Sequence, residues 1–482
     1  MKYKTPAVLC SCLLGTLLLF GGQANSQQAA RLQNSEVVVA EMLEPKDGSP
    51  VLDQIGETNF YETTIATARK LDDVKAIHPN LSYRPTLVTN DPFEPQSYLT
   101  LIDAEDAWNI STGSDTVVAV IDSGFALAHE DLSGRWYVNP SESGALASNG
   151  LDDDANGFID DWRGWDFAQN DNNPSAGTTN TNGAAVGHGT AVAGMIGATG
   201  NNAIGVASLD WTAKLMPLQI FSDDGAATTA ELAEAMDYAI NNGAEVINLS
   251  LGSTASDAVI DSLIADAEAA GIVVVVAAGN CGDTDYALEG CNYQGQTLYP
   301  ATNPTTVAVA ATTLTDTRAS FSSYGIYVDL AAPGSGSIST TLYDPADPTG
   351  AYSGSIYGTS FAAPLTTGLV ALLKDEWLVA DVKDIQAVLV DSAHKTGEMN
   401  GSTYTQYVGF GRVRPLEALQ RAQACAATVL SANINCSGTV DLLDLSILAS
   451  QWQMDRTGRS DINKSGKTEL LDLSVLASKW GQ

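Results

Sequence analysis

The chain has 482 residues, with 57 Asp and Glu against 23 Lys and Arg and a formal charge of -34 at pH 7. That length leaves room for a large core and more than one domain. A surface so acidic repels nucleic acid and anionic membranes, so no nucleic-acid partner is expected, and it suits a soluble secreted protein or one bathed in divalent cations. From the N-terminus, Lys2 and Lys4 form a basic start, an apolar run covers roughly residues 7–20, and Ala24-Asn25-Ser26 is a small-residue cleavage site. These features predict a signal peptide over residues 1–26 and a secreted product. The run is too short to favour a membrane anchor, and no second long apolar span follows, so no membrane span is expected once the signal is removed. Cys10 and Cys12 fall inside the signal.

Residues 27–90 are polar and mixed, and predict a helix over Thr64–Leu71 and a strand over Val74–Ile77. Beyond them, Val117–Ile121, Glu245–Leu251, Ile272–Ala278 and Thr306–Ala311 are short runs of Val, Ile and Ala that read as strands buried on both faces. Helical patterns lie between them. Ala230–Asn242 places Leu232, Ala235, Met236 and Ala239 on one face and stops at Gly243; Asp257–Ala270 does the same with Val259, Leu263, Ile264 and Ala267 and stops at Gly271. Strands alternating with helices predict an α/β fold around a parallel, doubly wound sheet. In such sheets the working crevice lies at the carboxyl ends of the strands. Asp122 follows one strand directly and Asn280 follows another.

Three separated segments carry the chemistry: Val-Ala-Val-Ile-Asp122-Ser-Gly, Gly-His188-Gly-Thr-Ala-Val-Ala-Gly, and Gly-Thr-Ser360-Phe-Ala-Ala-Pro364. A serine hydroxyl is a weak nucleophile until a base takes its proton, and the base needs a third group to hold it. Asp, then His, then Ser is the chain order of subtilisin. With Asn280 as a fourth match, residues 85–425 resemble the subtilisin-like serine proteases. The resemblance implies that Asp122 orients His188, that His188 is the general base and then acid, that Ser360 is the nucleophile, and that Asn280 donates to the oxyanion. It also implies that Ser250-Leu251-Gly252 pairs with the substrate backbone, with Ala226–Thr229 as the opposite edge. Ala191 and Leu365 stand where many relatives carry other residues, which leaves the pocket's shape open. Val74-x-x-Ile77-x-Pro79-Asn80 resembles the end of a subtilisin propeptide, so residues 27–90 are read as a propeptide and 91–424 as the catalytic domain.

An insert between Asp122 and His188 contains Asp152, Asp154, Asn156, Gly157 and Asp160 at the alternating spacing of a calcium loop, with the Phe158 carbonyl at the seventh position. A second calcium site is implied by the family resemblance: Asp131, Asn202 and the carbonyls of Ile204 and Val206, with Asp91 contributing. Four cysteines remain after export: Cys281, Cys291, Cys425 and Cys436. They allow three connectivities, of which two local disulfides, Cys281 with Cys291 and Cys425 with Cys436, are favoured by spacing and compartment.

Toward the C-terminus, Leu442–Trp452 recurs almost unchanged as Leu470–Trp480. Each copy follows an Asx-rich loop, and the pair resembles the duplicated calcium-loop-and-helix units of dockerin modules. The resemblance implies ligands Asn433, Asn435, Ser437 and Asp444 in one copy and Asp461, Asn463, Ser465 and Asp472 in the other. Serine at the fifth position, and asparagine at the first position of one loop, predict weak calcium binding. Residues 425–482 are therefore read as a dockerin-like module for a cohesin-like or surface partner. The whole reads as a secreted, calcium-stabilised serine endopeptidase with no organic cofactor. Sequence leaves two alternatives: a calcium-dependent attachment protein on an inactive protease scaffold, and a narrow processing protease or peptide ligase.

Overall fold

Runs of Val, Ile and Ala only four to six residues long build the centre of this molecule. The computed structural model describes residues 87–426, except 94–95, 177–186, 223–224, 284–290, 343–349 and 378–379, together with four strands nearer the N-terminus. The chain divides into two compact units, Met1–Pro85 and Thr86–Gln482. In the first, β1 (Val37–Met42), β2 (Asp53–Gln54), β3 (Phe60–Thr64) and β4 (Val74–Pro79) form an antiparallel sheet in the order β2-β3-β1-β4. The strand expected at Val74–Ile77 lies within β4. Of the helix expected over Thr64–Leu71, Thr64 ends β3 and the rest lies outside the described residues.

The second unit begins with two short helices, α1 (Ser97–Leu101) and α2 (Ala104–Trp108). Then follow β5 (Val117–Asp122), β6 (Trp165–Asp166), α3 (His188–Gly197), β7 (Lys214–Gln219), α4 (Thr229–Asn241), β8 (Val246–Leu249), α5 (Ala258–Ala269) and β9 (Val273–Ala277). The remainder is β10 (Val307–Thr312), β11 (Leu330–Pro333), the hairpin β12 (Ser335–Thr340) and β13 (Tyr352–Tyr357), and the helices α6 (Thr359–Glu376), α7 (Val382–Ser392) and α8 (Pro415–Ala426). Seven strands make one sheet, β11-β10-β9-β8-β5-β7-β6, and every neighbouring pair is parallel. This is the doubly wound α/β architecture expected from the alternation of strands and helices.

Period-two side-chain alternation divides the sheet between two cores. Val118, Val120, Val273, Val275, Val307 and Val309 face one core, which α3, α6, α7 and α8 complete. Ala119, Ile121, Val274, Val276 and Ala308 face the other, closed by α4 and α5. Burial on both faces is why these strands read as unbroken apolar runs. Helix ends are set locally. Thr228 and Glu231 form a capping box at the start of α4, and Asp381 and Asp384 do so at α7. Gly243 and Gly271, at φ 86° and 78°, stop α4 and α5 in a backbone region that other residues enter at a cost. Among the described residues, no helix is long and apolar enough to cross a membrane.

Candidate active site

The carboxyl ends of β5, β8 and β9 meet the N-termini of α3 and α6, and the predicted chemistry gathers there. Asp122 is the last residue of β5 and is 1% exposed. His188 is the first residue of α3, and its Nδ1 lies 2.7 Å from Asp122 Oδ1, which also accepts from the Ser123 amide at 2.7 Å. The next residue must be glycine. A Cβ on Gly189 would lie 2.6 Å from the Gly124 carbonyl oxygen and 3.2 Å from Asp122 Oδ1.

Ser360 is the second residue of α6, a helix buried at Thr359 and from Phe361 through Lys374, so Ser360 is its opening onto the crevice. The Phe361 ring stands 5.6 Å from the His188 ring, which brings the start of α6 to the imidazole. Pro364 lies inside this helix and has no N–H to give to the Ser360 carbonyl four residues earlier. Ser250 supplies the missing donor: its Oγ donates to Ser360 O at 2.9 Å. In return Ser360 Oγ donates to Ser250 O at 3.3 Å. Asn248 Nδ2 donates to Ser250 Oγ at 3.0 Å, and Thr367 Oγ1 donates to Asn248 Oδ1 at 2.8 Å. A proline one turn after the serine and a serine at the end of β8 are thus parts of one hydrogen-bonded unit.

Asn280 follows β9. Its Oδ1 accepts from the Thr359 amide and from Thr359 Oγ1, both at 3.0 Å, which fixes the orientation of the side-chain amide. A Cβ built on Gly358 would lie 3.7 Å from Asn280 Nδ2 and 3.7 Å from Ser360 N, so the two nitrogens flank one point beside the serine. The N-terminus of α6 adds its positive dipole end there. Cys281 is disulfide-bonded to Cys291, closing the loop directly behind Asn280, and its amide donates to Ser323 Oγ at 2.9 Å. Cys425 is also disulfide-bonded; Cys436 lies outside the described residues.

Leu251 and Gly252 on one side and Ala227–Thr229 on the other border a single cavity of about 260 Å³, whose apolar lining includes Ile220, Phe221, Leu232, Leu251 and Ile260. The two segments expected to flank a substrate therefore face one another.

Among the described residues, one group of three carboxylates is arranged as a hard cation would need, and a second acidic pair is buried nearer the N-terminus of this unit. In the insert, carboxylate oxygens of Glu142, Asp154 and Asp161 all lie within 4.8 Å of one another. Glu142 is fully buried, and its Oε2 has no hydrogen-bond partner among the described residues. Burial pushes the Glu142 and Asp161 carboxyls up from their usual range, and neighbouring carboxylates push the same way. Asn139 donates to both Asp154 and Asp161, and Tyr238 donates to Asp161. Of the ligand set expected from the sequence, Asp154 lies in this cluster. Asp152 instead accepts from the amides of Asn156 and Gly157, Asp160 from those of Asn149 and Gly150, and Asn156 bridges to Asp161. Phe158 packs its ring edge-on to Trp165, Phe167 and Tyr238. Neither Glu142 nor Asp161 was foreseen as a ligand: Glu142 stands ten positions before the loop motif, and Asp161 directly after its last assigned position.

In the second cluster, Asp131 is fully buried, and burial, reinforced by the Asp91 and Glu130 charges, pushes its carboxyl up to about 7. It accepts from Asn202 Nδ2 and from the Val206 amide, each at 2.9 Å, and Asp91 accepts from the amides of Asn201 and Asn202. The Ile204 amide donates to Asn202 Oδ1 at 2.7 Å. Asp91, Asp131, Asn202, Ile204 and Val206 are therefore brought together. The C-terminal ligand candidates, Asn433 through Asp472, lie outside the described residues.

The profile of the Subtilase family matches residues 113–411 of this chain. Thermitase from Thermoactinomyces vulgaris is 33% identical over 69% of this chain and 99% of its own length. An extracellular protease of Xanthomonas campestris pv. campestris is 34% identical over 57% of this chain and 46% of its own. Among solved structures, one of proteases from Pseudoalteromonas arctica PAMC 21717 aligns with a TM-score of 0.54 and 26% identity, covering 69% of this chain and 99% of that one.

Proposed function

The chain belongs to the subtilase family of serine endopeptidases, and from that premise we propose that Asp122, His188 and Ser360 form its catalytic triad and Asn280 its side-chain oxyanion donor. The observation that carries this is the 2.7 Å bond between Asp122 and His188 Nδ1. With Nδ1 held by the carboxylate, Nε2 is the nitrogen that takes the Ser360 proton as Oγ attacks the substrate carbonyl carbon. Carbonyl electrons move onto oxygen, and the oxyanion accepts from Asn280 Nδ2 and the Ser360 amide. His188 then gives its proton to the departing amine, leaving an acyl group on Ser360. Water, deprotonated by His188, releases the acid and restores the serine.

The substrate lies extended between Ser250–Gly252 and Ala226–Thr229, adding a strand to both, and the apolar cavity between them takes a bulky apolar side chain upstream of the cut. We place calcium at Glu142, Asp154 and Asp161, with the Asp152–Asp160 loop folded around it, and at Asp91, Asp131 and Asn202 with the Ile204 and Val206 carbonyls. Calcium would neutralise carboxylates that otherwise repel one another. The chain is made with a signal peptide over 1–26 and a propeptide over 27–90, is secreted, and carries a dockerin-like module after residue 424 that tethers it to a protein or surface.

Ser360→Ala tests the assignment. Casein hydrolysis should fall by on the order of 10⁶ in kcat, the size such a deletion has in a subtilisin. The secreted variant should retain residues from about 27 onward, because the same site removes the propeptide. Retained hydrolysis would sink the triad, and the inactive-scaffold reading stands only if the parent enzyme also leaves casein intact. Normal trimming of the variant would mean that maturation is carried out by another protease.

A further inference from the structure

We propose that Leu298 closes the pocket for the side chain immediately before the cut bond, so that this enzyme cleaves after small residues. The inference rests on the triad reading above, because that reading fixes where the acyl carbonyl sits.

Strands β8 and β9 are parallel neighbours, with Leu249 beside Val276. Their continuations, Ser250–Gly252 and Ala277–Asn280, run on as the two walls of a slot. Ser250 O lies 3.3 Å from the nucleophile's Oγ, and Asn280 holds the other end through Thr359. A carbonyl carbon at Ser360 with its oxygen toward Asn280 leaves its own side chain one place to go, between these walls. Each wall presents a glycine, which would suit a wide slot. Leu298 occupies it. A Cβ added to Gly279 would lie 2.4 Å from Leu298 Cδ1, and one added to Gly252 would lie 3.5 Å from that atom and 3.4 Å from Leu298 Cβ. One leucine side chain thus touches both walls.

Leu298 is also held in place. The adjacent Tyr299 forms an antiparallel bridge with Ser253, its N–H donating to the Ser253 carbonyl at 2.8 Å and its carbonyl accepting from the Ser253 amide at 2.8 Å. The backbone that carries Leu298 is therefore tied to the wall it fills. A methyl or hydroxymethyl group fits beside Leu298; a phenyl ring must displace it. The 260 Å³ cavity lies beyond Leu251 and Gly252 among the residues of α4 and α5, so bulk is accepted further upstream and refused at the cut.

The test is a peptide series identical except for Ala, Leu or Phe before the cut bond. For the parent enzyme, kcat/KM should fall at least 10-fold from Ala to Phe, the scale at which pocket size discriminates apolar side chains. In Leu298→Gly the Phe-to-Ala ratio of kcat/KM should rise at least 10-fold; Leu298→Ala, a smaller perturbation, should shift it the same way and serves if the glycine variant does not fold. Labelling by a small phosphonyl fluoride, followed by peptide mapping, reports the nucleophile independently of the pocket. A label absent from Ser360 overturns the triad. A label on Ser360 together with a parent preference for Phe, or with an unchanged ratio in both variants, overturns the role of Leu298.

Discussion

Asp210 shows how a single buried carboxylate away from the catalytic groups can govern the response of stability to pH. It is fully buried, and burial, with the nearby Asp375 charge, pushes its carboxyl up to about 7 against the opposing donors Thr212 N and Ala213 N. Its Oδ2 has no hydrogen-bond partner among the described residues. The folded protein therefore holds this proton to higher pH than the unfolded chain, whose Asp titrates near about 4. Its contribution is present in full below about pH 4, is lost as pH rises toward about 7, and is level above that. At about 1.4 kcal/mol per pKa unit, the loss is on the order of a few kcal/mol. Asp210→Asn keeps the acceptor and cannot ionise. In the inhibitor-blocked enzyme it should match the parent in urea unfolding below about pH 4 and exceed it by a few kcal/mol above pH 7. A gap that is the same at every pH would refute the argument. Asp122, His188, Asn280 and Ser360 could be proposed from the sequence because each sits in a short local pattern. Ser250 was singled out by its motif as a substrate contact, but its donation to Ser360 spans 110 positions and left no local signal, and none marks Leu298 or Glu142.

At the scale of elements, β5, β8, β9 and β10 were legible within one or two residues, because burial on both faces leaves an unbroken Val-Ala run. The helices α4 and α5 were legible from their apolar faces and terminal glycines. Strand β7 was not, since Lys214 and Pro217 interrupt it; the proline is tolerated where β6 reaches only Leu218 and Gln219. The hairpin β12–β13 is built of Ser, Gly, Thr and Tyr with little apolar alternation, and it takes its shape from neighbours such as Ala191, whose carbonyl accepts from Ser339 Oγ. The insert between β5 and α3 carries a prediction of its own. Three converging carboxylates repel without a cation and stabilise with one. Glu142→Gln removes one charge, so the sign of its effect should reverse with calcium. In excess chelator the blocked variant should melt above the parent, and in millimolar calcium below it. Parallel melting curves in both conditions would remove Glu142 from the metal site.

For the whole molecule, charge is distributed far from evenly. Residues 1–85 carry 9 acidic and 8 basic side chains and residues 426–482 carry 6 and 5, whereas residues 86–425 carry 42 acidic and 10 basic. Nearly all the net charge therefore belongs to the unit that holds the seven-stranded sheet and the proposed triad. Self-repulsion of that size works against the compact state and is screened by added ions. Between about 10 mM and about 1 M salt the Debye length shrinks from about 30 Å to about 3 Å, so repulsion across the unit's surface is almost wholly removed. We predict that the blocked enzyme in chelator gains melting temperature steadily over that range of NaCl. A chain ending at Ala424 should show the same gain, because the segment it lacks contributes a single net charge, and it should keep hydrolysis of a soluble peptide within a few-fold, because no proposed catalytic group lies beyond Pro364. A flat or falling melting temperature would show that buried carboxylates, not surface repulsion, dominate the electrostatic cost. Loss of the salt response only on truncation would place that repulsion between the C-terminal segment and the rest, and loss of hydrolysis would make the segment part of the catalytic fold.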